Sequence, residues 1–121
     1  MRAALAFTLA LLASPAVAEG GLSLALPIAG DAEVKSVAYT CTGAVPTLPV
    51  QYISAAPNFL AVIPIDGKPT VLVSVATESG AKYLSGPYVW WNKGTDATLS
   101  DVTEGLDAAP VLMCAEENNT P

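Results

Sequence analysis

The chain has 121 residues, with 5 basic and 11 acidic side chains, no histidine, two cysteines and a formal net charge of −6. Without histidine there can be no Ser-His-Asp or Cys-His catalysis and no histidine metal site, and two cysteines cannot form a four-cysteine zinc cage. An acidic surface cannot displace counterions from phosphate, so nucleic acid is excluded as a partner and a basic partner is favoured.

Residues 1–18, MRAALAFTLALLASPAVA, read as a signal peptide. Arg2 supplies the positive end, Ala3 to Ala13 the apolar run, and Ala16-Val17-Ala18 the small residues before a cut. The run is shorter than the roughly 20 apolar residues that a membrane span needs, so no transmembrane segment is expected. Cleavage removes Arg2 and leaves four basic against eleven acidic groups, a net charge of −7. No cysteine lies near the cut, so the mature protein is expected to be free of a lipid anchor. Residues 19–33 read as a flexible leader, with an edge strand through Leu22, Leu24 and Leu26 as its candidate element.

From residue 34 to residue 115 the pattern is that of one β domain. Val34 to Thr42 is the first clear strand, with Val37, Tyr39 and Cys41 on one face at period two. Val50 to Ile53 follows a turn punctuated by Pro46 and Pro49. Phe59 to Ile65 and Thr70 to Ala76 flank Asp66-Gly67, a dipeptide suited to a tight hairpin because both residues tolerate positive φ. Ala81 to Leu84, Tyr88 to Asn92, Ala97 to Val102 and Val111 to Ala115 complete about eight short strands. No segment shows sustained helical periodicity, and ten prolines argue against one. A meander of this size must manage its edges, either as a closed barrel or as a two-sheet sandwich, and periodicity does not choose between them. Residues 116–121 form a polar tail whose Asn118-Asn119-Thr120 triplet is of a kind that arises often by chance.

Export favours pairing of Cys41 with Cys114, which would close a loop of 73 residues. Two buried free thiols are the alternative.

The densest chemistry lies in Glu78-Ser79-Gly80-Ala81-Lys82-Tyr83 and in Gly86-Pro87-Tyr88-Val89-Trp90-Trp91-Asn92-Lys93-Gly94. In a strand, Trp90 and Trp91 point to opposite faces, so one belongs to the core and the other lies at least partly outside. An exposed tryptophan suits a small carbohydrate- or envelope-binding module, and a plain structural hairpin accounts for the same residues. Asp96, Asp101, Glu104 and Asp107 could be cast as glycosidase-like carboxylates. Acidic residues spread over strand ends and loops are instead those of a solvated face, so the chain is not read as an enzyme.

The ordered set Tyr39-Thr-Cys41, Val50-Gln-Tyr52, Asp66-Gly67-Lys68, Ser79-Gly-Ala-Lys-Tyr83, Tyr88-x-x-x-Asn92-Lys93-Gly94, Ala97-Thr-Leu99 and Cys114 resembles the bacterial inhibitors of c-type lysozyme. The resemblance runs from about Tyr39 to Cys114. It implies an all-β fold, a small antiparallel barrel of eight strands closed by a Cys41–Cys114 disulfide, with no cofactor and no metal. It implies export, here as the free periplasmic form of a Gram-negative bacterium, and c-type lysozyme, a basic protein, as partner. The oligomeric state stays open between monomer and homodimer. The implied lysozyme-binding residues are Ser79 and Lys93, which reach the catalytic carboxylates, together with Gly80, Tyr83, Tyr88, Asn92 and Gly94. Lys82 is read as supporting. Two positions depart from the pattern: Asn92 stands where the family has threonine, and Trp90 where phenylalanine is more usual.

Overall fold

A computed structural model describes residues 30–43 and 46–117, together with Ala25 and Ile28. The signal peptide, the Leu22–Leu26 candidate strand and the Asn118 triplet lie outside the described residues. The chain runs through β1 (Glu33–Cys41), β2 (Thr47–Ala55), β3 (Asn58–Ile65), β4 (Lys68–Val75), β5 (Ala81–Ser85), β6 (Tyr88–Lys93), β7 (Asp96–Asp101), a 3-10 turn (Val102–Glu104) and β8 (Leu112–Glu116).

Each strand pairs antiparallel with the next, and β8 returns to β1, so the sheet is a closed barrel rather than a sandwich. Closure pairs every strand on both sides over part of its length and leaves only short one-sided stretches, such as Glu33–Ala38 of β1 and Lys68–Leu72 of β4. The seam is short, from Tyr39↔Glu116 to Cys41↔Cys114, and the Cys41–Cys114 disulfide crosslinks its last paired position. Cys114 also faces Ala97 across the β7–β8 ladder, where a small side chain leaves room for the crosslink.

Alternation sorts the residues. Tyr39, Leu48, Val50, Ala61, Ile63, Leu72, Trp90 and Leu99 point inward and form the core. Trp90 has no exposed surface and meets Tyr39 edge-on at 5.2 Å between ring centroids. That edge-to-face contact matches the positive rim of one ring to the negative face of the other.

Two-residue turns join β2 to β3, β3 to β4, β5 to β6 and β6 to β7. The Asp66-Gly67 turn has φ of 52° and 74°, the doubly left-handed geometry that twists with its flanking strands. Pro49 was expected in a turn but lies within β2, opposite Ala38. β3 does not pair with β2 until Gln51↔Val62, so at Pro49 the strand has one neighbour only, and a missing N–H is tolerated there. Pro64 and Pro69 face each other under the same condition, beyond the reach of β2 and β5 respectively.

Antiparallel connection gives the barrel two ends. One carries the Ala56-Pro57 turn, the β4–β5 loop, the Gly94-Thr95 turn, Glu33 and Glu116. The other carries Asp66-Gly67, Gly86-Pro87 and the chain between β7 and β8.

Candidate functional site

The β4–β5 loop, residues 76–80, lies against the end of β6. Gly80 makes this possible. Its φ is +66°, and a Cβ built there would stand 1.9 Å from the Asn92 carbonyl oxygen. Only a residue without a side chain allows that approach. The loop is then fixed from two sides: Trp91 Nε1–H donates to the Ser79 carbonyl at 3.0 Å, and the Thr77 hydroxyl donates to the same oxygen at 3.2 Å. Ser79 itself is exposed.

β6 supplies the other half. Trp91 and Lys93 point outward and Asn92 inward, as the pleat requires. Lys82 lies directly opposite Trp91 in the β5–β6 ladder. The Lys82 and Lys93 ammonium groups stand 4.0 and 3.9 Å from the Trp91 ring centroid. Gly94 follows with φ +61° and starts the turn into β7. Ser79, Gly80, Asn92, Lys93 and Gly94 thus meet at one corner of one barrel end, although 12 residues separate Ser79 from Trp91.

Inside that corner lies a polar cluster. Tyr52 Oη accepts from Trp90 Nε1–H at 2.9 Å and from Asn92 Nδ2–H at 2.6 Å. Those two donors occupy the lone pairs of the hydroxyl, so Tyr52 gives its own proton to Tyr39 Oη, 2.7 Å away. Burial pushes the Tyr39 phenol well above its ordinary range. Burial also raises Tyr83, with a smaller push from Tyr52, against whose ring it tilts at 5.7 Å. Tyr52, Tyr83 and Asn92 line a recess of about 250 Å³ in the barrel mouth, and Glu33, Lys35 and Glu116 stand at its rim. Asn92 Oδ1 is buried there without a hydrogen-bond partner.

The implied site residues therefore divide. Tyr83 faces the barrel interior behind the corner. Tyr88 lies at the far end of β6, about 17 Å along the strand from Lys93 by strand rise, in a recess with Ile65, Asp66 and Asp101. The sequence reading gave no role to Tyr52, the hub of the cluster, or to Trp91 as the residue joining loop and strand. A usable signal existed for Tyr52, since all four tyrosines fall at inward positions of their strands. Trp91 carried no such signal, because its contacts join segments that only the barrel brings together. Among the described residues no cluster of three His, Cys, Asp or Glu side chains could hold a metal ion. No helix there is long and apolar enough to cross a membrane.

Residues 39–107 match the family model described as membrane-bound lysozyme-inhibitor of c-type lysozyme. A Cupriavidus necator protein, described as a membrane-bound lysozyme inhibitor of C-type lysozyme, is 45% identical over 80 residues, 66% of this chain and 63% of that protein. The chain thus spans somewhat less than two thirds of the length of that relative. A Pseudomonas aeruginosa protein of the same description is 38% identical over 94 residues, 77% of this chain and 73% of that protein. Among solved structures, a P. aeruginosa inhibitor crystallised in complex with hen egg white lysozyme is similar with a TM-score of 0.68 and 35% identity, covering 81% of this chain and 97% of that one.

Proposed function

This chain belongs to the family of membrane-bound lysozyme inhibitors of c-type lysozyme, and from that membership we propose that it inhibits a c-type lysozyme by occupying the enzyme's active-site cleft. The observation that carries the proposal is the corner itself. Gly80 lets the Ser79 loop lie on the Asn92–Lys93 backbone, so an exposed hydroxyl and an exposed ammonium group project together from a rigid barrel end.

The chemistry fits the target. A c-type lysozyme cleaves its substrate with a glutamic acid and an aspartate that flank the scissile bond. The Lys93 ammonium placed between them makes charge-assisted hydrogen bonds where water is excluded, stronger than a surface pair. The Ser79 hydroxyl can donate to one carboxyl and accept from a neighbour. Gly80 and Gly94 shape the two turns, and Asn92 and Tyr83 support them from inside the barrel, whereas Tyr88 stands at the opposite end and takes no part in this corner. The inhibitor performs no reaction and needs no cofactor; it blocks the substrate.

Export by residues 1–18 places the domain in the periplasm beside the peptidoglycan it protects. Both cysteines are committed to the disulfide, which supports a free rather than a cysteine-anchored protein. Release of the mature protein by osmotic shock, without detergent, tests this placement; retention with the membranes would refute it.

Hen egg white lysozyme titrated with the purified domain should lose its activity at one-to-one stoichiometry. Full lysozyme activity at micromolar domain would overturn the proposal. Lys93→Ala should weaken inhibition about ten- to hundredfold, from the worth of a charge-assisted bond. Lys68→Ala, at the opposite barrel end, should leave it unchanged. Equal effects would mean that the corner is not the inhibitory surface.

A further inference from the structure

The indole of Trp91 gathers three contacts at once. Its N–H holds the Ser79 carbonyl at 3.0 Å, and its ring carries the Lys82 and Lys93 ammonium groups at 4.0 and 3.9 Å. The register explains the gathering. Lys82 is the cross-strand partner of Trp91, and Lys93 follows two residues along the same strand, so all three side chains leave the barrel on its outer face. Two cations drawn to one ring by its negative face also repel each other. An anion arriving at this corner gains from both charges and relieves their repulsion. The chain as a whole carries a net charge of −6, against which the two lysines on one ring stand out, with Asp96 facing Lys93 from the next strand.

We propose that Lys82 and Lys93 act as a single two-cation site held on Trp91, whose ligand is carboxylate presented by the partner. Trp91 is the positioning residue of that site. The inference rests on the inhibitor reading and deepens it. A lysozyme cleft offers two carboxyl groups, and the corner offers two ammonium groups, so Lys82 is a second recognition residue rather than a bystander. Trp91 fixes the lysines relative to the Ser79 loop before the partner arrives, which lowers the ordering cost of binding.

The test combines inhibition of hen egg white lysozyme with ¹H–¹³C spectra of the lysine ε-methylene groups in the free domain. In the wild type the ε-methylene signals of both lysines should be displaced by the Trp91 ring current. Lys82→Gln should weaken inhibition five- to twentyfold. Trp91→Leu, with both lysines and Ser79 intact, should weaken it tenfold or more and return the lysine signals to ordinary positions while the barrel amide spectrum stays dispersed. Trp91→Phe keeps an aromatic face and should keep most of the displacement and most of the inhibition. Titration with glutarate, a small dicarboxylate, should move both lysine signals together in the wild type and not in Trp91→Leu.

Wild-type inhibition by Lys82→Gln would overturn the two-cation site, and wild-type inhibition by Trp91→Leu would overturn the positioning role. If Trp91→Leu does not fold, undisplaced lysine signals in the wild type, or a Lys82 signal indifferent to glutarate, overturn the proposal on their own. A wild-type domain that leaves lysozyme active refutes the inhibitor reading instead, while the spectra and the glutarate titration still decide the two-cation site.

Discussion

Replacing Gly80 by alanine perturbs the one contact on which the proposed site depends. At φ +66° an alanine is strained in any surroundings, at a cost of about 1–2 kcal/mol. Its Cβ would also meet the Asn92 carbonyl oxygen at 1.9 Å, where ordinary contact begins at 3.4 Å, so one backbone must retreat by the difference. β6 is held by β7 along its whole length and by β5 as far as Asn92, whereas the 76–80 loop is exposed at its tip, so the loop moves. Its retreat breaks the bond from Trp91 Nε1–H to Ser79, worth about 1 kcal/mol. The total of about 2–3 kcal/mol corresponds to a fall in Tm of roughly 10–20 °C for a domain of this size.

Gly86→Ala is the control. Its φ is +53°, but a Cβ there meets nothing within 4 Å, so only the backbone strain applies. Gly80→Ala should therefore melt below Gly86→Ala by a further 4–8 °C or so. It should also lose at least tenfold in lysozyme inhibition, while Gly86→Ala, at the other barrel end, inhibits like the parent. Thermal unfolding by circular dichroism and a lysozyme turbidity assay read the two effects. Equal melting of the two variants, with parental inhibition by Gly80→Ala, would refute the argument that this close approach sustains the site.

Trp90→Phe and Asn92→Thr each remove one donor from Tyr52 Oη. Each should cost about 1 kcal/mol in urea unfolding at unchanged m, with a coupling of at least about 0.5 kcal/mol in the double variant; strict additivity would mean that Tyr52 is not a shared hub. Stability should fall at alkaline pH, because unfolded phenols ionise near 10.0 while burial keeps Tyr39 and Tyr83 protonated in the fold. That stability is complete below the unfolded value and declines above it by about 1.4 kcal/mol per pH unit for each phenol. Urea midpoints that stay flat from pH 8 to 11 would contradict the burial of these tyrosines. Replacing both Cys41 and Cys114 by alanine opens a crosslink spanning 73 residues, worth about 4 kcal/mol on the chain-entropy model. The expected outcome is a lower Tm with the same far-ultraviolet spectrum, because the seam also has its own strand pairing; an unchanged Tm would show that closure does not depend on the disulfide.

Most of the β character was legible in the residues. Alternation at Val37, Tyr39 and Cys41 placed the first strand, and Asp66-Gly67 placed a hairpin, because side-chain period and positive φ are local properties. The tryptophan pair announced one core and one outer residue, and the structure assigns them as Trp90 and Trp91. Local pattern was less informative where both faces were apolar. In β4, Val71, Leu72 and Val73 are consecutive hydrophobic residues, and only Leu72 is buried. Pro49 read as a turn because its place beyond the reach of β3 is a fact about a neighbouring strand.

The sequence by itself determined an acidic, histidine-free β domain in which two segments carry the distinctive chemistry, since charge, composition and period are properties of the chain. Closure was beyond it, because barrel and sandwich use the same alternation and differ in whether the last strand meets the first. The tertiary structure decided that pairing through β1 and β8. It also decided which residues of the two segments share a surface. Ser79 and Lys93 meet because a side chain is missing at Gly80 and an indole bridges loop to strand, whereas Tyr88, in the same segment as Lys93, is carried to the opposite end of the barrel.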